Sequence, residues 1–210
     1  MKAPQFWYEP NTWKAKFLYP LGYFYNLLTL LRGKLAKPQS YSCLTICIGN
    51  LNVGGTGKTP TTIALAQHFL KKGLQVHVVS RGYKGKFQGT FLVDPQKHKS
   101  DEVGDEPLLM SEFTSVWVSN KRKNGIAAAE NAGAQIVLLD DGFQDPSFHK
   151  DFSLIVVDGE KGFGNKKCMP AGPLRENIVQ GFKRADALVI VGQRIYKFDT
   201  FPTHLKIIHS

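Results

Sequence analysis

The chain has 210 residues, of which 42% are hydrophobic and 21% are charged, a balance typical of a folded domain rather than a disordered chain. Three cysteines, none in a C-x-x-C pair, exclude a disulfide framework and a zinc ribbon. The net charge of +10 indicates acidic partners such as phosphates, nucleic acid or an anionic membrane surface, and does not choose among them.

The first 40 residues differ in composition from the rest. They carry half of the net charge, +5, and nine of the 24 aromatic residues. The 15 uncharged residues between Lys16 and Arg32 would span roughly 22 Å as a helix, short of the ~30 Å hydrocarbon core. Two interpretations remain open: a helix docked on the domain's own core, or a helix lying in a membrane interface. The composition favours the second, so we predict a membrane-interfacial helical segment over residues 1–40 and a separate domain over 41–210.

From residue 41 onward, apolar strands alternate with helical runs. The predicted helices are 60–72, 103–112 and 121–132, and the predicted strands are 40–51, 74–80, 115–118, 136–140, 152–158 and 188–191. Continuous apolar strands alternating with helices are typical of a mostly parallel sheet covered by helices. The sequence therefore predicts an α/β fold.

A glycine-rich loop joins the first predicted strand to the first predicted helix of this domain. Glycines let backbone N–H groups surround phosphate oxygens, because a Cβ would block the approach or forbid the torsions. The lysine that follows would reach the β- and γ-phosphates of ATP, and the threonine would ligate Mg²⁺. We therefore predict a P-loop NTPase-like fold with a nucleotide site made by Asn52, Val53, Gly54, Gly55, Thr56, Gly57, Lys58 and Thr59.

Two positions in this loop depart from known patterns. Asn52 stands where the strict pattern G-x-x-x-x-G-K-[ST] has its first glycine. Val53 stands where a related class of dimeric ATPases carries a lysine for the facing subunit, which argues against that class. The alternative, a glycine-rich turn that happens to contain a lysine, would require both the spacing and the strand–loop–helix context to be coincidental.

A second candidate element is the apolar run 136–140, which ends in Asp140 and Asp141. Such a strand downstream of a P-loop favours a Walker B role, in which a carboxylate holds Mg²⁺ directly or through water. Alone the signal is weak, since many strands end in an aspartate that caps a turn. Gly142 predicts a tight turn with positive φ, which would place both carboxylates at the carboxyl end of the strand.

The motifs now on the page, together with four others, resemble the tetraacyldisaccharide 4'-kinases, the lipid A 4'-kinases of Gram-negative bacteria. The resemblance covers nearly all of the chain, and its motifs occur in the expected order. They are G-N-L (49–51), V-G-G-T-G-K-T (53–59), S-R-G-Y (80–83), V-G-D-E-P (103–107), D-D-G-F-Q (140–144) and P-A-G-P-L-R-E (170–176).

The resemblance implies transfer of the ATP γ-phosphate to the 4'-hydroxyl of tetraacyldisaccharide 1-phosphate, with Mg²⁺ as cofactor. It makes Asp105 the general base, with Lys58, Asp140 and Asp141 also catalytic and Thr59 and Asp140 as metal ligands. From the residues alone, Asp105 is instead explained as an acid in the first turn of a helix. The implied substrate-binding residues are Arg81, Tyr83, Glu106, Arg122, Arg175 and Glu176.

Two departures from the family bear on these expectations. The family usually has His after D-D-G-F-Q, whereas this chain has Asp145. Family members also continue with the rest of a second lobe and a His that pairs with the catalytic Asp. We therefore expect the second lobe within 41–210 to be incomplete, since His204 and His209 lie too near the end to take that role.

The expected partners are the acylated disaccharide-1-phosphate lipid and an anionic inner-membrane surface. We expect a monomer, peripheral on the cytoplasmic face of the inner membrane, because reduced cysteines and a nucleotide site indicate the cytoplasm. Three alternatives stay open: a nucleotide-binding protein without kinase activity, another small-molecule P-loop kinase, and a nucleic-acid binder. The last is disfavoured because half of the excess charge lies beside a long apolar run.

Overall fold

A computed structural model describes residues 3–83, 85–86, 88–198 and 201–210, so Met1 and Lys2 of the N-terminal segment lie outside the described residues. After a short 3-10 turn, Gln5–Trp7, the helices are α1 (Trp13–Leu35), α2 (Lys58–Lys71), α3 (Ser100–Val103), α4 (Asp105–Ser111), α5 (Arg122–Asn131) and α6 (Ile178–Phe182). The strands are β1 (Leu44–Gly49), β2 (Val76–Ser80), β3 (Thr90–Leu92), β4 (Ser115–Ser119), β5 (Ile136–Asp140), β6 (Phe152–Asp158), β7 (Ala187–Val191) and β8 (Lys206–His209).

The chain divides into two compact units. Unit 1 comprises Met1–Ala36, Asn50–Gly57 and Ser153–Ser210, and unit 2 comprises Lys37–Gly49 and Lys58–Phe152. The organisation expected from the sequence, residues 1–40 and residues 41–210, stays a prediction.

Unit 2 is built on five strands in the order β3-β4-β2-β5-β1. Ile136 of β5 lies level with Leu44 on one neighbour and Val76 on the other, and both pairings are parallel. Strand β3, at the edge of this unit's strand order, runs antiparallel to its neighbour β4. Every residue of β2 and β5 is buried, and α2 contacts β1, β2 and β5. These near-continuous apolar strands are what a parallel sheet requires, and the predicted α/β architecture is confirmed.

Unit 1 contains β6, β7 and β8, paired in parallel in that order. Helix α1 belongs to this unit and begins after Thr12, whose Oγ1 accepts from the backbone N–H of Ala15. A Cβ on Gly22 would lie 2.7 Å from the carbonyl oxygen of Cys168. The side chain of Asn26 accepts a hydrogen bond from the backbone N–H of Asn177. Gly22 and Asn26 therefore contribute to the contacts of α1 with the rest of unit 1.

The structure corrects the predicted helix over 103–112, which is two helices. Gly104 separates α3 from α4 with φ of 93°, a left-handed conformation that glycine adopts without strain. A Cβ at this position would meet the carbonyl oxygen of Tyr83 at 2.8 Å. The sequence also did not indicate β3, α6 or β8, and β1 is shorter than the predicted strand 40–51. Among the described residues, no helix has the length and hydropathy needed to cross a bilayer.

Candidate nucleotide and phosphoryl-transfer site

The glycine-rich loop of unit 1 has an internal scaffold. The buried side-chain amide of Asn50 donates to the carbonyl of Gly54 and to Thr56 Oγ1, both at 3.2 Å. Gly54 and Gly57 have φ of 116° and 89°, so both torsions require glycine as the sequence predicted. Gly55 lacks a positive φ, and no described residue lies within 4 Å of the Cβ it would carry, so glycine there suits the close approach of a ligand.

Asn52, which stands in place of the first glycine of the strict motif, makes a structural hydrogen bond through its side chain. Its amide nitrogen donates to the carbonyl of Gly162 at 2.8 Å, and the residue is 4% exposed. Next to it, the backbone N–H of Val53 donates to the carbonyl of Pro173 at 2.8 Å. These contacts fasten the start of the loop to the segment after β6 and to the P-A-G-P-L-R-E motif.

A cleft of about 290 Å³ adjoins the loop within unit 1. It is lined by Gly55, Thr56, Gly57, Asp158, Glu160, Val191 and Gly192. Asp158 ends β6, and its Oδ1 accepts from the backbone N–H groups of Glu160 and Lys161. The cleft thus lies at the carboxyl ends of β6 and β7, where open α/β sheets bind their ligands.

In unit 2, the first residue of α2 is Lys58, and its ammonium lies 3.7 Å from Asp141 Oδ1. Thr59 follows as the second residue of the helix and is partly exposed. The helix begins with the two residues that the sequence assigned to phosphate and metal. Its N-terminus also carries positive partial charge, which favours an anion there.

Asp140 is a buried acid at the carboxyl end of β5, with 3% exposure. Ser80 Oγ, at the end of the neighbouring strand β2, donates to its Oδ2 at 3.2 Å, while Oδ1 is buried with no hydrogen-bond partner in the described part of the chain. Burial, followed by the charges of Glu106 and Asp141, raises the pKa of Asp140 to about 6. A buried carboxylate oxygen without a proton donor suits a hard cation, so these residues fit the Mg²⁺ that the motif implies.

The turn after β5 differs from the prediction at one residue. Asp141, and not Gly142, has a positive φ, 54°. Glycine is used at 142 for packing, because a Cβ there would lie 3.3 Å from the Cβ of Leu139. The backbone of Asp141 has a left-handed conformation. Its carboxylate faces Lys58, and its carbonyl accepts a hydrogen bond from Arg122 Nη2 at 2.6 Å.

Arg122, a candidate substrate-binding residue from the sequence, is buried at the first position of α5 with 4% exposure. Its Nη1 lies 3.6 Å from Asp145 Oδ2. Burial acts to raise the pKa of Asp145, but hydrogen bonds from Ser147 and the charge of Arg122 outweigh it and the pKa is lowered. The anionic residue that stands where the family has His therefore forms an ion pair with Arg122.

The remaining candidates of unit 2 lie near the break between α3 and α4. Asp105 and Glu106 are exposed in the first turn of α4, and Arg81 and Tyr83 are exposed after β2. A Cβ on Gly82 would meet the carbonyl oxygen of Val103 at 2.9 Å, so the S-R-G-Y and V-G-D-E-P motifs are in close contact. The structure thus brings the predicted base and three predicted substrate residues, Arg81, Tyr83 and Glu106, to one edge of unit 2.

In unit 1, the two candidates of the P-A-G-P-L-R-E motif have different environments. Arg175 is partly exposed, and its backbone N–H donates to the carbonyl of Leu51 at 2.7 Å. Glu176 is 2% exposed and forms an ion pair with Arg184. The carboxylate of Glu176 is thus committed to an internal partner, which sequence reasoning did not indicate.

Sequence reasoning missed Asn50 and Ser80 as site residues. Asn50 shapes the loop from inside, and Ser80 is a direct partner of Asp140. The signal for Ser80 was its place as the polar last residue of an apolar strand, as for Asp140. The signal for Asn50 was a polar residue directly after a buried strand.

Comparison with known proteins agrees with this geometry. The sequence profile of the tetraacyldisaccharide-1-P 4'-kinase family, LpxK, matches residues 14–207. The chain is 50% identical over 197 residues to a tetraacyldisaccharide 4'-kinase of Dinoroseobacter shibae, covering 91% of this chain and 58% of that protein. It is 44% identical over 209 residues to one of Rhodospirillum rubrum, covering 98% and 62%. The chain therefore spans about three-fifths of the length of these relatives.

A solved structure of LpxK from Aquifex aeolicus, in complex with ATP, superposes with a TM-score of 0.79 and 33% sequence identity. The match covers 93% of this chain and 64% of that chain. The structural likeness confirms the predicted P-loop NTPase-like fold. The profile match, the sequence identities and the shared fold together show that the chain belongs to the tetraacyldisaccharide 4'-kinase family.

Proposed function

We propose that the chain provides the nucleotide-binding part of a kinase that transfers the γ-phosphate of ATP to the 4'-hydroxyl of tetraacyldisaccharide 1-phosphate. The observation that carries the proposal is the carboxyl end of β5. There a buried Asp140, one of whose oxygens has no hydrogen-bond partner among the described residues, is followed by Asp141, which pairs with the P-loop lysine Lys58. Family membership and the ATP in the Aquifex aeolicus structure support the same assignment.

The P-loop residues Asn52 to Thr59 hold the ATP phosphates in this proposal. The backbone N–H groups around Gly54 to Gly57 donate to phosphate oxygens, and Lys58 exchanges its contact with Asp141 for the β- and γ-phosphates. Thr59 and Asp140 would hold Mg²⁺, which when bound neutralises charge on the β- and γ-phosphate oxygens. Asp140 must be ionised to do so, and a cation nearby favours that form.

Asp105 is the general base of the proposed reaction. A sugar hydroxyl is a poor nucleophile, and a carboxylate within hydrogen-bond reach can accept its proton as the attack develops. The exposed position of Asp105 leaves it accessible to a bulky acceptor. Arg81, Tyr83, Glu106 and Arg175 are proposed to contact the acceptor, the cations through its 1-phosphate.

Helix α1 is proposed to bring the protein to the anionic inner face of the inner membrane, where the lipid substrate lies. Ala15 and Gly22 are its buried residues, whereas most of its large apolar side chains are exposed. Lys14 and Lys16 lie near its start and Arg32 and Lys34 near its end. Exposed aromatic and aliphatic residues flanked by cations fit the interface of an anionic bilayer.

A radiolabel transfer assay with ATP, Mg²⁺ and tetraacyldisaccharide 1-phosphate tests the proposal. We expect transfer by the wild type, with Asp105→Asn keeping ATP binding but losing transfer by ~100-fold or more, in line with general base catalysis. Asp101→Asn is the matched control, because Asp101 is an exposed acid of the adjacent helix that pairs with Lys86. Unchanged transfer by Asp105→Asn would reject the base role.

The same assay separates the kinase from the alternative left open by the sequence. ATP binding without transfer by the wild type would favour a nucleotide-binding protein without kinase activity. Transfer to other small hydroxyl compounds but not to the lipid would favour a different P-loop kinase.

A further inference from the structure

Arg122 directs one terminal nitrogen, Nη2, at the backbone of the acidic turn. Its Nη2 donates to the carbonyl oxygens of Asp140 at 3.2 Å and Asp141 at 2.6 Å. The side chain is 4% exposed, and its Nε has no hydrogen-bond partner among the residues described. The contacts of this guanidinium are therefore made by its two terminal nitrogens and lie within unit 2.

The conformation that Arg122 contacts is one that a non-glycine residue adopts at a cost. Asp141 has φ of 54°, and a left-handed non-glycine residue costs about 1–2 kcal/mol. Its carbonyl accepts from Arg122 and its carboxylate pairs with Lys58. These two contacts, one to the backbone and one to the side chain of Asp141, stabilise the turn in which both carboxylates follow β5.

Asp145 contacts the second terminal nitrogen of the guanidinium. Its Oδ2 lies 3.6 Å from Arg122 Nη1, while its Oδ1 accepts from both the backbone N–H and the hydroxyl of Ser147. Local hydrogen bonds with Ser147 thus orient the carboxylate that contacts the arginine. The result is a continuous series of contacts from Ser147 through Asp145 and Arg122 to the carbonyls of the acidic turn.

We propose that Arg122, anchored by Asp145, is a positioning residue that sets the Asp140–Asp141 turn for binding of the magnesium–nucleotide complex. The inference rests on the proposed function and changes the role of Arg122 from direct substrate binding to holding the carboxylates. Residues that orient metal ligands without touching the metal typically change metal affinity by about 10- to 100-fold when removed. Nη2 donates to both carbonyl groups while Nη1 faces Asp145, so the planar fork of the guanidinium matters as well as its charge.

The test is the ATP affinity of the full chain, measured by calorimetry once with Mg²⁺ and once with EDTA. Arg122→Gln is expected to weaken binding with Mg²⁺ by about tenfold or more, and to leave the affinity in EDTA near the wild-type value. Arg122→Lys keeps the charge but loses the fork, so its ATP affinity with Mg²⁺ is expected to lie between those of the wild type and Arg122→Gln. Asp145→Asn should weaken the Mg²⁺-dependent affinity less than Arg122→Gln, because the carbonyl contacts remain.

Lys123→Gln is the matched control, since it removes the same charge from the next, exposed residue of α5 and should leave both affinities unchanged. Thermal unfolding of each variant shows whether it folds. If Arg122→Gln does not fold, the ATP affinities of Asp145→Asn test the positioning role instead. An equal loss with Mg²⁺ and EDTA, or no loss, would overturn the positioning role alone. Failure of the wild type to bind ATP would overturn the proposed function as well.

Discussion

The carboxyl end of β5 in unit 2 and helix α1 in unit 1 depart from ordinary protein packing in opposite ways. At the end of β5, Asp140 and the neighbouring Arg122 of α5 are buried, with 3% and 4% exposure. On α1, Phe17 and Phe24 are 76% and 57% exposed. Folded chains generally bury apolar groups and leave charges in water, so each region carries a cost in the isolated protein.

The difference between the two regions indicates what each is for. The buried charges of Asp140 and Arg122, held by Ser80 and Asp145, form a preset environment for a compact, highly charged ligand. Exposed apolar side chains flanked by cations form a broad surface suited to an amphiphile. The first region matches the nucleotide of the proposed reaction, and the second matches its lipid.

The largest expected effect is on stability, at Asp140. Its pKa is raised to about 6, so the folded protein retains a proton that the unfolded chain loses between about pH 4 and 6. This contribution to stability is fully present below pH 4 and is lost as the pH rises through 6. Asp140→Asn should therefore stabilise the ligand-free protein by about 3 kcal/mol at pH 7.5 and much less at pH 4.5.

Urea unfolding at the two pH values measures this effect. Asp158→Asn is the control, because Asp158 also ends a parallel strand but is not fully buried. A stabilisation of equal size at both pH values would contradict the role assigned to burial of the Asp140 charge.

The next largest effect is on nucleotide binding, at Lys58. Lys58→Ala removes a charged donor to phosphate and is expected to weaken ATP binding by about 30-fold, equivalent to about 2 kcal/mol. Lys71→Ala at the exposed other end of α2 is the matched control. Wild-type affinity in Lys58→Ala, measured by calorimetry, would reject the P-loop assignment and leave the buried charges without a ligand.

The third effect concerns membrane binding by α1. Replacing Phe17 and Phe24 with Asp should weaken binding to anionic vesicles by about tenfold or more, since two large apolar side chains leave the interface. Stability should change little, because both rings are already exposed. Leu70→Asp, at an exposed position of α2, is the control.

Co-sedimentation with vesicles at low and high salt measures this third effect, and binding by the wild type should weaken as salt screens the cations. Vesicle binding by the double variant that equals the wild type would show that the exposed apolar side chains serve another purpose.

The smallest effect distinguishes two glycines of α1. An added Cβ on Gly33 would meet no atom of the described residues within 4 Å, so Gly33→Ala should stabilise the helix by about 1 kcal/mol. Gly22→Ala would place a Cβ 2.7 Å from the carbonyl of Cys168 and should loosen α1 from unit 1. Hydrogen exchange along α1 compares the two, and equal protection in both variants would argue against close docking at Gly22.

Much of the fold was predictable because local patterns determine it. Apolar runs such as 136–140 and 152–158 became strands with the expected bounds, and the P-loop motif lies between a strand and a helix as predicted. The break at Gly104 was harder to predict from the sequence, since the neighbour that leaves no room for a Cβ there is the carbonyl of Tyr83, which is distant in sequence. Strand β8 has an exposed and irregular pattern and forms through its pairing with β7.

The site was predictable in its residue types more than in its contacts. Lys58, Asp140 and Asp141 are recognised by motif, and the structure places Lys58 against Asp141. The positive φ fell on Asp141 and not on Gly142, because Arg122 and Lys58 hold the aspartate. No local pattern reveals that Arg122 is buried or that Asp145 faces it, since these contacts join separate parts of the chain.

The measurement that tests both regions together is phosphoryl transfer to tetraacyldisaccharide 1-phosphate, presented either in anionic vesicles or in detergent micelles. The account predicts transfer by the wild type in both, loss of transfer by Lys58→Ala in both, and loss by the Phe17→Asp, Phe24→Asp variant in vesicles alone. Equal loss by the α1 variant in vesicles and micelles, or transfer by Lys58→Ala at the wild-type rate, would contradict it.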